Sequence, residues 1–244
     1  MLELKNLTKC YDKRKTAAVS DINLKVNKGE LFGFLGPNGA GKTTTIKMIT
    51  GILAPTAGEI LIDGISIKDD PIKYKKNYGY VSDTPNLYER LTGIEYLEFI
   101  ADVYDVNSEV RKAQIQKYGA MFDIYNALGD RIKSFSHGMR QKLVLMGTLL
   151  HNPKLWILDE PMVGLDPMSA YCLKEEMKEH CRQGNTVFFS THVLEVAEKL
   201  CDRIAIISNG VIVAIGTIDE LKAQAENGNL TLEDIFMNVV RRQE

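Results

Sequence analysis

One stretch of the chain combines the residue types that hold a polyphosphate: Gly36-Pro37-Asn38-Gly39-Ala40-Gly41-Lys42-Thr43-Thr44. Its glycines let the backbone bend so closely that successive N–H groups point inward and form an anion-binding nest. Lys42 adds a full positive charge, and the Thr43 hydroxyl can bind the Mg²⁺ ion that the phosphates carry. An apolar run precedes the loop, and a helix-like segment from Lys42 to Thr50 follows it and directs its positive N-terminal end at the same place. This strand–loop–helix context predicts that the chain binds a nucleoside triphosphate.

Two acidic residues follow a second apolar run, Leu155 to Leu158. A continuous apolar run is typical of a central parallel strand that is buried on both faces, with its carboxyl end at the ligand crevice. There Asp159 would hold the metal ion through its water shell, and Glu160 would polarise the attacking water. The alternative is a pair of solvated strand-end acids, and the phosphate loop upstream favours the catalytic interpretation.

The histidines differ in their sequence context. His192 follows a buried strand, residues 186–190, whose carboxyl end directs it at the same crevice. Without the other motifs it would be an ordinary strand-end histidine. His137, His151 and His180 are predicted to be surface or loop residues.

Composition limits the class of protein. The chain has 244 residues and a formal net charge of −2, which suits one large domain and argues against a broad nucleic-acid-binding surface. The four cysteines show no C-x-x-C pairing, so reduced thiols in a cytosolic chain are expected. The N-terminus carries charge where a signal peptide would be apolar, and the longest apolar run, residues 143–150, is too short for a membrane span. If the protein works at a membrane, another chain must do the crossing.

The remaining pattern predicts how the chain is divided. Alternating runs near the N-terminus and an Asp63-Gly64 hairpin predict a small antiparallel sheet beside the nucleotide core. Residues 85–150 are predicted to form a helical lobe inserted into the α/β core. Residues 218–244 are predicted to form a tail of two short helices separated by Asn227-Gly228-Asn229. Lys73, Lys75 and Lys76 are predicted to lie in a solvated loop. Tyr11 either caps a sheet end or stacks on a nucleotide base.

The order of these motifs resembles the ATP-binding subunit of ABC transporters over residues 1–217. The resemblance implies a RecA-like P-loop NTPase core of the α/β class, with a flanking antiparallel β-subdomain and an inserted α-helical subdomain. It implies ATP and Mg²⁺ as ligands, an integral membrane permease as partner, and a location on the inner face of the cell membrane. No nucleic-acid partner is expected.

Within this resemblance, residues 135–139 match the signature loop usually written Leu-Ser-Gly-Gly-Gln. Ser136 and Gly138 fit, His137 replaces the first glycine and Met139 replaces the glutamine. The resemblance implies that the helix N-terminus at Ser136 contacts the γ-phosphate held by a second copy or a homologous subunit. Two chains would then sandwich two ATP molecules head to tail.

Four further positions follow from the same resemblance. Asp166 belongs to the D-loop, His192 is the switch histidine, and Tyr11 is the adenine-stacking aromatic residue. Asp83 stands where the family has a glutamine that contacts Mg²⁺ and senses the membrane partner. A carboxylate can still reach a metal-bound water, but it is shorter and charged, so coupling or the hydrolysis rate would differ.

Two segments, residues 86–92 and 232–236, look most like the branch that serves drug, antibiotic and peptide exporters. The main alternative is a slow or regulatory nucleotide-binding subunit of a heterodimeric transporter, because Asp83 and His137 depart from the family pattern. A non-transport member is disfavoured because the chain has neither a second nucleotide domain nor a long coiled-coil insert. A small-molecule kinase is disfavoured because Glu160 beside the metal acid suits the activation of water.

Overall fold

The computed structural model describes residues 1–11, 17–223 and 231–241, with side chains in the last range through Met237. The strands are β1 (Leu2–Lys9), β2 (Val19–Val26), β3 (Leu31–Leu35), β4 (Ala57–Ile62), β5 (Ile65–Ser66), β6 (Tyr78–Val81), β7 (Leu155–Asp159), β8 (Thr186–Thr191), β9 (Arg203–Ser208) and β10 (Val211–Gly216). The α-helices are α1 (Lys42–Ile49), α2 (Pro71–Lys76), α3 (Gly93–Val103), α4 (Ser108–Met121), α5 (His137–Leu149), α6 (Pro167–Arg182), α7 (Leu194–Leu200), α8 (Ile218–Ala223) and α9 (Leu232–Arg241).

The larger sheet has the strand order β10-β9-β3-β8-β7-β6, and its pairs are parallel except for the β9–β10 hairpin. Strands β3, β7 and β8 are buried along their whole length, as their continuous apolar sequences predict. The register pairs Asp159 with Ser190 and Leu35 with Thr191. The carboxyl ends of β3, β7 and β8 therefore meet at one edge of the sheet, which is where an open α/β sheet binds its ligand.

The smaller sheet, with the order β2-β1-β4-β5, is antiparallel throughout. Asp63 and Gly64 both have positive φ at the β4–β5 turn, so the predicted hairpin is confirmed. Apolar side chains of this sheet share one core with Phe32 of β3 and Ile46 of α1. This core fixes the small sheet beside the glycine-rich loop.

Helices occupy the chain between β6 and β7. Thr92 begins α3 with a reciprocal capping box that it shares with Glu95, and Asn107 caps α4. Across the described ranges, no helix is long and apolar enough to cross a membrane. The division into an inserted lobe and a tail stays a prediction, and the tail's separator at residues 227–229 lies outside the described residues.

Two sequence interpretations are wrong. Lys73, Lys75 and Lys76 lie in helix α2, because Asp70 accepts a hydrogen bond from the Lys73 amide and caps the helix just before Pro71. His180 is not a surface residue: it is buried on α6, and its Nε2 lies 2.8 Å from the Pro153 carbonyl oxygen.

His151 is also more enclosed than predicted. It is half-buried and its ring stacks on Tyr104, with the ring centroids 3.7 Å apart. Burial lowers the pKa of both His151 and His180 to about 4. Both imidazoles are therefore neutral at physiological pH.

Candidate functional site

A cleft of about 310 Å³ opens at the carboxyl edge of the parallel sheet. Its lining includes residues from the glycine-rich loop, from the connection between β1 and β2, and from the segments that follow β6 and β7. These residues are Tyr11, Ala18, Pro37, Asn38, Gly39, Gly41, Lys42, Thr43, Thr44, Asp83 and Glu160. The fold thus brings together four separated parts of the chain that the sequence predicts for the site, together with Ala18, which it does not predict.

The glycine-rich loop passes so close to its neighbours that side chains are excluded at two points. A Cβ at Gly36 would lie 2.4 Å from the Ile207 carbonyl oxygen, and one at Gly41 would lie 2.9 Å from the Ala18 carbonyl oxygen. Gly41 also has φ +108°, which L-residues rarely adopt. The loop therefore needs glycine here to wrap tightly, as a phosphate cradle does.

Lys42 crosses the inside of this loop and is buried. Its Nζ donates to the Gly36 carbonyl at 2.7 Å and to the Pro37 carbonyl at 3.2 Å. It also lies 3.5 Å from Glu160 Oε1. The ammonium group is therefore held at the centre of the cradle, between the loop backbone and an acid from β7.

Asp159 is fully buried at the end of β7. Its Oδ1 accepts a hydrogen bond from the Ser190 hydroxyl at 2.5 Å, whereas its Oδ2 has no hydrogen-bond partner among the described residues. Burial raises the pKa of Asp159, the hydroxyls of Ser190 and Thr43 counteract this, and the charges of Asp83 and Glu160 raise it further. The unpartnered buried Oδ2 of Asp159, with the Thr43 hydroxyl close enough to lower the pKa of this acid, provides oxygen donors that suit Mg²⁺.

No group of three or more histidine, cysteine or acidic side chains is placed to bind a metal within the described part of the chain. Asp159 and the Thr43 hydroxyl are therefore the protein donors to consider, with phosphate oxygens and water as further ligands. The residues present fit a Mg²⁺ ion that is bound jointly with a polyphosphate.

Glu160 adopts a left-handed backbone conformation, with φ +47°. Its amide donates to the Ser190 hydroxyl at 3.1 Å, and its Oε2 lies 3.0 Å from His192 Nδ1. Ser190 thus orients both acids at once. The sequence analysis missed Ser190, although its position opposite Asp159 follows from pairing β7 with β8 in parallel.

The segment 136–139 lies elsewhere: none of its residues lines the cleft. Ser136 begins α5, where its hydroxyl accepts a hydrogen bond from the Met139 amide at 3.2 Å. Ser136 and His137 are exposed, and Gly138 and Met139 are half-buried. The helix N-terminus is therefore exposed and does not line the cleft of its own chain.

Asp166 ends the loop that starts at Glu160, and it caps α6. It accepts hydrogen bonds from the Ser169 amide at 2.9 Å and hydroxyl at 2.6 Å, and Lys142 of α5 lies 2.8 Å away. Lys142 and then Ser169 hold the pKa of Asp166 well below its usual range. The sequence analysis did not identify Lys142, because a lysine inside a helical stripe gives no local signal.

The model of the ABC transporter family matches residues 19–163 of this chain. EcsA of Bacillus subtilis, an ABC-type transporter ATP-binding protein, is 34% identical over 99% of this chain and 97% of its own length. A solved ATP-binding subunit of an ABC transporter matches with a TM-score of 0.93 and 34% identity, covering 98% of this chain and 99% of that one. The dimeric post-hydrolysis state of the ATP-binding cassette MJ0796, bound to ADP and Pi, matches with a TM-score of 0.80 and 27% identity, covering 89% and 98%.

Proposed function

The chain belongs to the ABC transporter ATP-binding family and is an ATPase, and from this premise we propose that it dimerises around Mg-ATP and powers transport by a separate permease. One observation carries the proposal. The phosphate loop, with Lys42 inside it, faces a Glu160 carboxylate that is itself 3.0 Å from His192. A polyphosphate cradle is thus joined directly to a candidate base and its orienting histidine.

For binding, the backbone N–H groups of residues 38–44 and the Lys42 ammonium hold the β- and γ-phosphates. Lys42 exchanges its loop carbonyl contacts for phosphate oxygens, to which it brings a full charge. Tyr11, exposed at the mouth of the cleft, stacks on the adenine ring.

For the metal, Thr43 and Asp159 would hold Mg²⁺ directly or through its water shell, and Asp83 would contact that shell. When bound, the ion neutralises charge on the phosphate oxygens. The unpartnered Oδ2 of Asp159 supports this assignment. Because Asp159 carries a raised pKa, its buried charge is most stable when a cation is beside it.

For hydrolysis, Glu160 accepts a proton from the attacking water through its Oε oxygens. His192 fixes the orientation of that carboxylate and positions the γ-phosphate. Lys42 stabilises the negative charge that develops on the phosphoryl oxygens. The left-handed backbone at Glu160 supports a functional placement, since strain of this kind is found where a side chain must be aimed.

The facing site is completed by the partner chain. Ser136, His137, Gly138 and Met139 at the N-terminus of α5 contact the γ-phosphate that the other subunit binds, and Asp166 lies beside them. The exposure of Ser136 and His137 supports this arrangement, as does the finding that none of the four signature residues lines its own cleft. The partner is a second copy or a homologous subunit.

We propose that the permease contacts the helical region near residues 83–105 and that the transporter is an exporter. The protein would then sit at the inner face of the cell membrane through that permease. The slow regulatory subunit remains the second candidate because Asp83 and His137 depart from the family pattern. The contact between Glu160 and His192 favours the active enzyme.

A crosslink tests the head-to-tail dimer. In a Cys10→Ser background, Asn38→Cys and Ser136→Cys place thiols at the exposed loop and at the exposed helix start. Mg-ATP should promote a dimer-sized crosslinked product, whereas Lys178→Cys paired with Asn38→Cys serves as the control and should give none. A dimer without the 38–136 crosslink would exclude the arrangement, and failure to bind Mg-ATP would exclude the function.

A further inference from the structure

Helix α7 begins two residues after His192 and is weak in isolation. It spans Leu194–Leu200, and no side chain caps its N-terminus. Ala197 is its one fully buried residue. A helix this short is unstable on its own, so its position depends on what packs against it.

By comparison, side-chain hydrogen bonds cap the N-termini of both tail helices, α8 and α9. Thr217 and Glu220 exchange hydrogen bonds of 2.8 and 3.1 Å at the start of α8. Thr231 and Asp234 exchange bonds of 3.0 and 3.2 Å at the start of α9. Reciprocal caps of this kind satisfy the free amides of a helix N-terminus and fix where it begins.

The tail helices pack on α7 through one apolar cluster. Leu221, Leu232 and Ile235 of the tail share it with Ala197 and with Leu35. Leu35 is the last residue before the glycine-rich loop. The cluster therefore connects the tail to the two elements that place the phosphate loop and His192.

An ion pair adds a second connection. Lys222 Nζ of α8 lies 2.7 Å from Glu198 Oε1 of α7, and each side chain is about one-third exposed. Glu195 and Lys199 form a similar pair at 2.7 Å, but both members lie on α7 itself. The Glu198–Lys222 pair thus joins α7 to the tail, whereas the Glu195–Lys199 pair does not.

We propose that the tail helices hold α7 in place and so position His192 against Glu160. Glu198, Lys222 and Ile235 are the positioning residues, and they act through His192 without contacting the nucleotide. The inference rests on the role of His192 proposed above.

Charge reversal tests the connection in the full chain. Glu198→Lys or Lys222→Glu alone should lower kcat by about two- to fivefold, the range that a partly exposed ion pair can provide, and leave the KM for ATP within about twofold. The double reversal should restore kcat, because it restores the pair with opposite polarity. Glu195→Lys is the matched control and should leave kcat near the parental value. Single reversals without effect, or a double variant as slow as its parents, would overturn the proposal.

The histidine ring resonances give a readout that a general loss of stability would not mimic. The single reversals should shift the His192 resonance and leave the resonance of the buried His180 unchanged. In the double variant the His192 resonance should return to its parental position. Ile235→Ala removes an apolar side chain from the cluster and should lower kcat as the single reversals do; if this variant fails to fold, the reversal pair still decides. If His192→Ala leaves turnover unchanged, the proposed role of His192 fails, and the ring shifts alone then decide whether the tail positions it. If His192→Ala is slow while the reversals move neither kcat nor the ring, the tail does not act through His192.

Discussion

Replacing Glu160 by glutamine removes a charge and keeps the shape of the side chain. The amide can still accept from Lys42 or His192, and glutamine tolerates the same backbone as glutamate, so the fold should persist. What it cannot do is take a proton from water at neutral pH. We therefore expect Glu160→Gln to keep ATP binding, to stabilise the ATP-bound dimer and to lower turnover.

The size of the loss follows from the role. A positioned general base contributes roughly 10²- to 10⁴-fold, which corresponds to about 2.7–5.4 kcal/mol of activation free energy. The site places Glu160 for this role, because its two oxygens face Lys42 at 3.5 Å and His192 at 3.0 Å. Its side chain is only 17% exposed, which limits replacement of the carboxylate by bulk water. A fall of at least about 10² in kcat is the expected result.

Single-turnover phosphate release and ATP binding should be measured on the same preparation, with chain association followed by light scattering in Mg-ATP. Glu195→Gln is the control, since Glu195 is exposed and pairs with Lys199 on α7 itself. Turnover within twofold of the parent would remove Glu160 from the role of base. Loss of ATP binding would show instead that its charge mainly serves to hold Lys42.

Three further changes test other parts of the site. Asp159→Asn should raise the melting temperature of the metal-free protein, because the folded-state pKa of Asp159 lies above its unfolded value and its charge therefore costs stability at neutral pH. Each kcal/mol of added stability should raise the melting temperature by about 2–4 °C, and a lower melting temperature would contradict the argument. His180→Gln should reduce the loss of stability at acid pH, measured as the free energy of unfolding in urea. The pKa of His180 is about 4 in the folded protein and about 6.5 in the unfolded chain, so about 3 kcal/mol of unfolding free energy is lost as the pH falls through this window. An unchanged pH dependence in the variant would contradict the burial argument. An equimolar mixture of Ser136→Ala and Lys42→Ala chains should regain about a quarter of parental turnover, since half of the dimers are mixed and each mixed dimer has one intact site. Turnover no higher than that of the separate variants would contradict the proposal that each ATP site is completed by the partner chain.

The parts of the site that the sequence could predict are those whose geometry is set locally. Glycines at 36 and 41 are required by contacts within a few ångströms, and the strand before and helix after them follow from periodicity. The placement of Asp159 beside the loop also follows, because a fully apolar run predicts a central parallel strand.

What the sequence could not predict depends on partners far away in the chain. The sequence predicts a surface or loop position for His180, but packing against Trp156 and the Pro153 carbonyl encloses it. Ser190 orients both acids only because β7 and β8 pair in one register. Lys142 meets Asp166 only because α5 and the loop before α6 lie side by side.

The histidine at position 137 is the departure from the family pattern that the structure explains best. A Cβ at Gly164 would lie 2.4 Å from Cδ2 of the His137 ring, and a Cβ at Gly138 would lie 2.7 Å from the Gly164 carbonyl oxygen. The ring therefore rests on the backbone of the loop that runs from Glu160 to Asp166, where only glycine leaves room for it. Gly164 also has φ +80°, so its own conformation favours glycine independently of that contact. The extra side chain at the helix start is thus accommodated by its own chain, and Ser136 and His137 at the start of α5 stay exposed.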